Sequence, residues 1–159
     1  MRVFCAFCLL FLLLPETAGA QERVPKFKDF PVTEAFIGRN APVILDRDGR
    51  TFRTRLRWAA KNERPNFAGH YILTTWGCGT TCFMGAVINA KTGKVFWLPG
   101  SYCCWNFQET DENFEPLIYR LDSKLIVISG MINEEEGTLG THFYKFENGE
   151  FTLVHRVKK

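Results

Sequence analysis

Three catalytic signatures are missing from this 159-residue chain. It has no G-x-S-x-G elbow, no glycine-rich phosphate loop and no H-E-x-x-H pair. Net charge is also small. Twenty Lys/Arg against 17 Asp/Glu leave +3, too little to argue for nucleic acid as a partner. Low-complexity tracts and close internal repeats are absent, so neither a disordered chain nor a repeat array is expected. The single long apolar run, "VFCAFCLLFLLL" at 3–14, is shorter than the ~20 residues a membrane helix needs.

That run fits a different purpose. Arg2 precedes it, and the small residues "AGA" at 18–20 follow. The order charged, apolar, small is that of a secretory signal peptide, with cleavage expected between Ala20 and Gln21. No cysteine sits just beyond that point, which argues against a bacterial-type lipid anchor. Removal of residues 1–20 leaves 139 of the 159 residues, enough for one domain, 21–159, with its own core. A hydrophobic fraction of 46% and 15 phenylalanines describe a packed globule. No stable membrane insertion is expected once the leader is gone.

Cys5 and Cys8 depart with the leader, so Cys78, Cys82, Cys103 and Cys104 remain. Four cysteines in an exported chain read as two disulfides with three possible connectivities. Adjacent residues on an extended segment point to opposite faces. That favours bonds from Cys78 and Cys82 across to Cys103 and Cys104, with the local pairs 78–82 and 103–104 as the competing pattern. A zinc knuckle ranks below both, because vicinal cysteines suit a tetrahedral site poorly. A cysteine nucleophile needs a base within hydrogen-bond reach. His70, if 70–76 is a strand, lies roughly 20 Å from the bend at Gly77.

The pattern along the chain is that of a mainly antiparallel β protein with one short helix. "RTFRTRLRWAAKN" at 50–62 places Phe52, Leu56, Ala59 and Ala60 on one helical stripe and Arg53, Arg57 and Lys61 toward solvent. Pro65 explains the stop. A strand is expected near 41–46, followed by a "DRDG" turn. Strand 70–76 precedes three hairpins, at 85–99, 115–131 and 141–157. Their turns fall at 91–94, at Asp122 and Ser123, and at Asn148 and Gly149. Three hairpins in series predict a meander that forms a curled sheet or small sandwich. An acidic, glycine-bearing loop, "INEEEGTLG", separates the last two.

Two candidate sites follow. The cysteine loops carry a rigid, aromatic and glycine-edged set: Trp76, Gly77, Gly79, Thr80, Thr81, Tyr102 and Trp105, with Phe83, Trp97 and Phe107 nearby. Packing of the tryptophans over the disulfides competes with a partner-binding role. The second site comes from register. A two-residue turn at Asn148 and Gly149 sets His142 opposite His155 on one apolar face. The pair is a candidate metal or pH-sensing site, with Glu134, Glu135 or Glu136 as a third ligand, against the plainer reading of two half-buried neutral rings.

"PNFAGHYIL" (65–73), "WGCGTTC" (76–82) and "KTGKVFWLP" (91–99) resemble a loose family of small exported bacterial proteins of unassigned function. The resemblance covers about the middle third of the chain. It implies a periplasmic setting and no nameable activity, and the "CC" at 103–104 is outside its pattern. The architecture, a disulfide-braced loop on a small β domain, is similar in style to periplasmic lysozyme inhibitors. The reading is an exported binding or inhibitor-type module, without catalysis or cofactor, for an envelope protein or glycan. Its alternatives are a cysteine- or histidine-dependent enzyme and a metal-binding accessory protein.

Overall fold

A computed structural model describes residues 23–105 and 113–159. The leader expected over residues 1–20 lies outside these, as does Phe107. Among the described residues no helix is long and apolar enough to cross a membrane. The described residues are mainly antiparallel β, an open, curled eight-stranded sheet with a single α-helix.

The helix α1 spans Arg53–Asn62 and buries Leu56, Ala59 and Ala60, the stripe expected from the sequence. The Asp46 carboxylate accepts a bond from the Gly49 backbone N–H at 2.6 Å, fixing the expected turn before it. Residues 41–46 form no strand. They run extended beside the sheet, with the Ala41 N–H bonded to the Ala90 carbonyl and the Ile44 N–H to Gly93. The expected strand fails because only two single bonds, three residues apart, reach the turn between residues 89 and 95, and no ladder forms.

Strands β1 (Tyr71–Gly79) and β2 (Cys82–Asn89) pair antiparallel, and β3 (Val95–Trp97) returns along part of β2. The two-residue strand β4 (Tyr102–Cys103) pairs with β2 on one side and with β6 (Leu125–Ile132) on the other. Strand β5 (Leu117–Tyr119) lies on the same edge of β6, and β7 (Gly140–Glu147) and β8 (Glu150–Lys158) complete the order. The three hairpins are therefore present. Their arrangement departs from a plain meander, since among the described residues β4 alone joins the first pair of long strands to the last three.

Two cores result. Leu73, Val87, Leu98, Tyr102, Ile126, Ile128, Tyr144 and Phe146 form one cluster with Phe67. Ile72, Trp76, Ala86 and Ile88 point the other way, against Leu56, Ala59 and Ala60 of the helix. Strands β1 and β2 are thus covered on both faces, which is why "YIL" and "AVI" read as unbroken apolar runs. Val32, Phe36, Ala41 and Ile44 bond to loop or strand backbone, and this lashes the segment before the helix to the sheet.

Candidate functional site

The cysteines pair locally. Cys78 is bonded to Cys82 and Cys103 to Cys104. This corrects the expected cross-pairing, and two backbone features account for it. The ladder slips between Gly77 and Gly79, so Gly79 faces Cys82 and Cys78 is displaced outward beside it. Cys104 has a φ of 65°, in the left-handed region, so Cys103 and Cys104 do not alternate as they would on a plain strand. The two loops do lie together, since Cys82 and Cys103 are direct partners across β2 and β4. None of these four cysteines offers a thiolate while both bonds stand.

The aromatic set divides. Gly77, Gly79 and Thr80 are exposed at the tip and Thr81 is half-buried. Trp76 is buried, packed at 4.9 Å from the ring of Phe52 and 6.1 Å from that of Trp97. Tyr102 is fully buried, stacked at 5.7 Å on Phe83, and its hydroxyl donates to the Tyr144 hydroxyl at 3.2 Å. Burial, then the bond to Tyr144, pushes the Tyr102 hydroxyl pKa up. Trp105 is half-buried, 5.9 Å from Phe83 and 6.4 Å from Phe114. Trp76 and Tyr102 therefore hold the loops up from beneath and present no contact surface of their own.

Beside the Cys78–Cys82 loop lies an apolar cleft of about 460 Å³. Phe52, Met84, Trp97 and Leu98 line it, with Cys78, Gly85 and Gly100, and Asp48, Ser101 and Asn133 supply its polar groups. Its polar edge is organised. The Asn133 side-chain oxygen accepts from the Ser101 N–H at 2.9 Å and lies 3.3 Å from the Ser101 hydroxyl. Trp76 and Trp97 each bury an indole N–H that has no acceptor among the described residues. The aromatic bed of this end thus contains donors that the chain leaves unused. Sequence reasoning named the loops and missed this cleft. It gathers Phe52 from the start of the helix, Trp97 from β3 and Asn133 from the acidic loop, and no local pattern joins those three positions.

The histidine pair does not form. A bulge between Phe143 and Tyr144 leaves Val154 without a partner, so His155 faces Phe143 and His142 faces Arg156. His142 lies in the core, 1% exposed, with ring centroids 6.1 Å from Tyr102 and 6.4 Å from Tyr144. His155 lies 5.5 Å from the Phe143 ring on the opposite face of the sheet. Glu134, Glu135 and Glu136 are exposed in the loop. Among the described residues no group of three His, Cys, Asp or Glu is placed to hold a metal.

His70 belongs to yet another place. Its ring lies 4.1 Å from that of Tyr71, tilted, and with Lys91, Lys124 and Glu147 it lines a mixed polar and apolar cleft of about 330 Å³. Burial and then the neighbouring Lys91 charge lower its pKa. Set beside known protein families, curated proteins and solved structures, the chain matches none.

Proposed function

We propose that this protein is an exported, non-catalytic binding module of the bacterial envelope that takes an apolar or aromatic group of a partner protein or glycan into the cleft beside the Cys78–Cys82 loop. The observation that carries the reading is the cleft itself. It offers about 460 Å³ of mostly apolar space with three polar residues grouped at it, the make-up of a recognition pocket. The disulfides and the buried Trp76 and Tyr102 keep its surroundings ordered, which lowers the entropy lost on binding. The leader-like residues 2–20 and the four paired cysteines support export.

Capture from an envelope extract on immobilised protein tests this. Trp97→Ala and Met84→Arg should each weaken retention of the captured species at least tenfold, the scale of a lost hot-spot contact of about 1.4 kcal/mol or more. Trp58→Ala serves as the control, because Trp58 is 59% exposed on the helix and lies outside the cleft. Retention that survives both cleft variants, each shown to be folded by its melting curve, removes the cleft from the account.

A further inference from the structure

A second cleft, of about 690 Å³, lies between residues 39–43 and the C-terminal half of α1. We infer that it is a binding site for a phosphate-type oxyanion, held by Arg39, Arg57 and Lys61. This site is separate from the apolar cleft and stands independently of its role.

The walls are fixed by the chain. The Asn40 side-chain amide donates to the carbonyls of Ala60, at 3.0 Å, and of Glu63, at 2.7 Å. The Ala41 and Ile44 N–H groups are tied to Ala90 and Gly93, each at 2.8 Å. Ala41, Pro42, Val43 and Ala60 form an uncharged lining, and Arg39 on one wall stands across from Arg57 and Lys61, one helical turn apart, on the other.

The electrostatics are one-sided. Among the described residues no carboxylate lines the cleft. Arg39, Arg57 and Lys61 take part in none of the ion pairs found among the described residues. A helix C-terminus ordinarily repels anions through its free carbonyls. Here Asn40 occupies the Ala60 carbonyl of the last helical turn and the carbonyl of Glu63 just past it, so the repulsion is reduced where the cations gather. The wider surroundings act in the same sense. Residues 36–64 hold eight of the 20 Lys/Arg and three of the 17 Asp/Glu, a local +5, while the rest of the chain sums to −2.

Three cations outnumber what a single carboxylate would neutralise. Two guanidinium forks and an ammonium match the several oxygens and double charge of a phosphate. The volume leaves room for a body attached to that group. The same headgroup chemistry occurs in soluble phosphate compounds and in anionic phospholipids.

The test uses purified protein with pyrophosphate, followed by calorimetry at low and physiological salt, and with vesicles of phosphatidylcholine alone or containing phosphatidic acid. Arg39→Gln and Lys61→Gln should each raise the dissociation constant about tenfold, and Arg39→Lys, which keeps the charge and loses the planar fork, should fall between Arg39→Gln and the parent. Arg47→Gln removes the same charge from the same basic segment outside the cleft and should change binding less than twofold. Pyrophosphate binding with this pattern assigns a soluble phosphate compound. Binding confined to the phosphatidic acid vesicles, with the same pattern, assigns a lipid headgroup. Binding to neither probe overturns the site, and so does an Arg47→Gln loss as large as the losses in the cleft variants. All four substitutions are at exposed positions, and unchanged melting curves keep folding out of the result.

Discussion

His142 sits between two tyrosines with its Nε2 against the Gly130 carbonyl at 3.2 Å, and its Nδ1 is buried without a partner among the described residues. Burial lowers its pKa most, and the Arg156 charge across the strand pair adds to this. Backbone bonds at Gly130 and Thr138 oppose both. A folded-state value below the usual ~6.5 means that the unfolded chain binds the extra proton first. Stability from the neutral ring is complete above about pH 6.5 and is lost as pH falls below it. The unfolding midpoint should therefore drop as pH falls below about 6.5, and His142→Gln should flatten that slope, whatever it does to the midpoint at pH 8. An unchanged slope would mean the ring is not the group that titrates. A second loss belongs further down. Lys124 and Lys145 each bond to the Glu147 carboxylate at 2.6 Å and hold its pKa at about 2. Its contribution is present above about pH 4.5 and disappears toward pH 2, in parent and variant alike. The side chain is substantially exposed, so this second step should be small. The sequence pointed to His142 as special for the wrong reason. Leu153 and Val154 are both apolar and both exposed, so burial does not separate the two registers of the last strand, and nothing in "FTLVHRV" marks Val154 as the extra residue.

At the scale of elements, residues of the 65–73 and 91–99 stretches hold chain segments in place. The Asn66 side chain pairs with Leu73 like a short piece of strand, donating to its carbonyl at 3.1 Å and accepting its N–H at 2.8 Å. Gly93 has a φ of 79°, and a Cβ there would lie 1.9 Å from the Pro42 carbonyl oxygen. That carbonyl belongs to backbone, so relief requires the pre-helix segment to lift off the sheet. Gly93→Ala should cost about 2–4 kcal/mol, a combination of left-handed strain and displaced backbone. Gly137 is the comparison, because its φ is 75° but nothing lies within 4 Å of an added Cβ, and Gly137→Ala should cost only about 1 kcal/mol. Denaturant midpoints of the two variants check this, and equal losses would refute the role of contact with Pro42. Such elements were largely legible. The helix showed in its stripe and stop, and the last hairpin in Asn148 and Gly149, whose φ values of 55° and 87° are those of a tight hairpin turn. Strand β4 was not legible, because two residues carry no periodicity. Its position follows from edges of β2 and β6 that are distant in sequence. The disulfide pattern was hidden for a related reason, since it depends on the slip at Gly77 and on the turned backbone of Cys104.

For the whole molecule, stability must come from the two cores that sandwich β1 and β2, because neither disulfide ties distant parts of the sheet together. Loop-closure arithmetic gives about 2 kcal/mol or less for so short a ring as 78–82, against about 3–4 for a bond from Cys78 to Cys103. Reduction should thus lower the melting temperature by only a few degrees and leave the far-ultraviolet spectrum native. Its larger effect should fall on the loops that edge the apolar cleft, where ligand retention should decline before the fold does. A collapse of the spectrum on reduction would contradict this division between bracing and folding. The same locality has a mechanical consequence. A chain pulled from its ends straightens to roughly 3.5 Å per residue, except where a covalent bond bypasses part of it. The Cys78–Cys82 bond spans four residue steps with Cα atoms 5.1 Å apart, so it hides only about 9 Å of that length, and the vicinal bond hides essentially none. A Cys78–Cys103 bond would hide about 80 Å. Under tension, the oxidised protein should therefore yield almost the full extension of its reduced form, as a nearly unbranched thread.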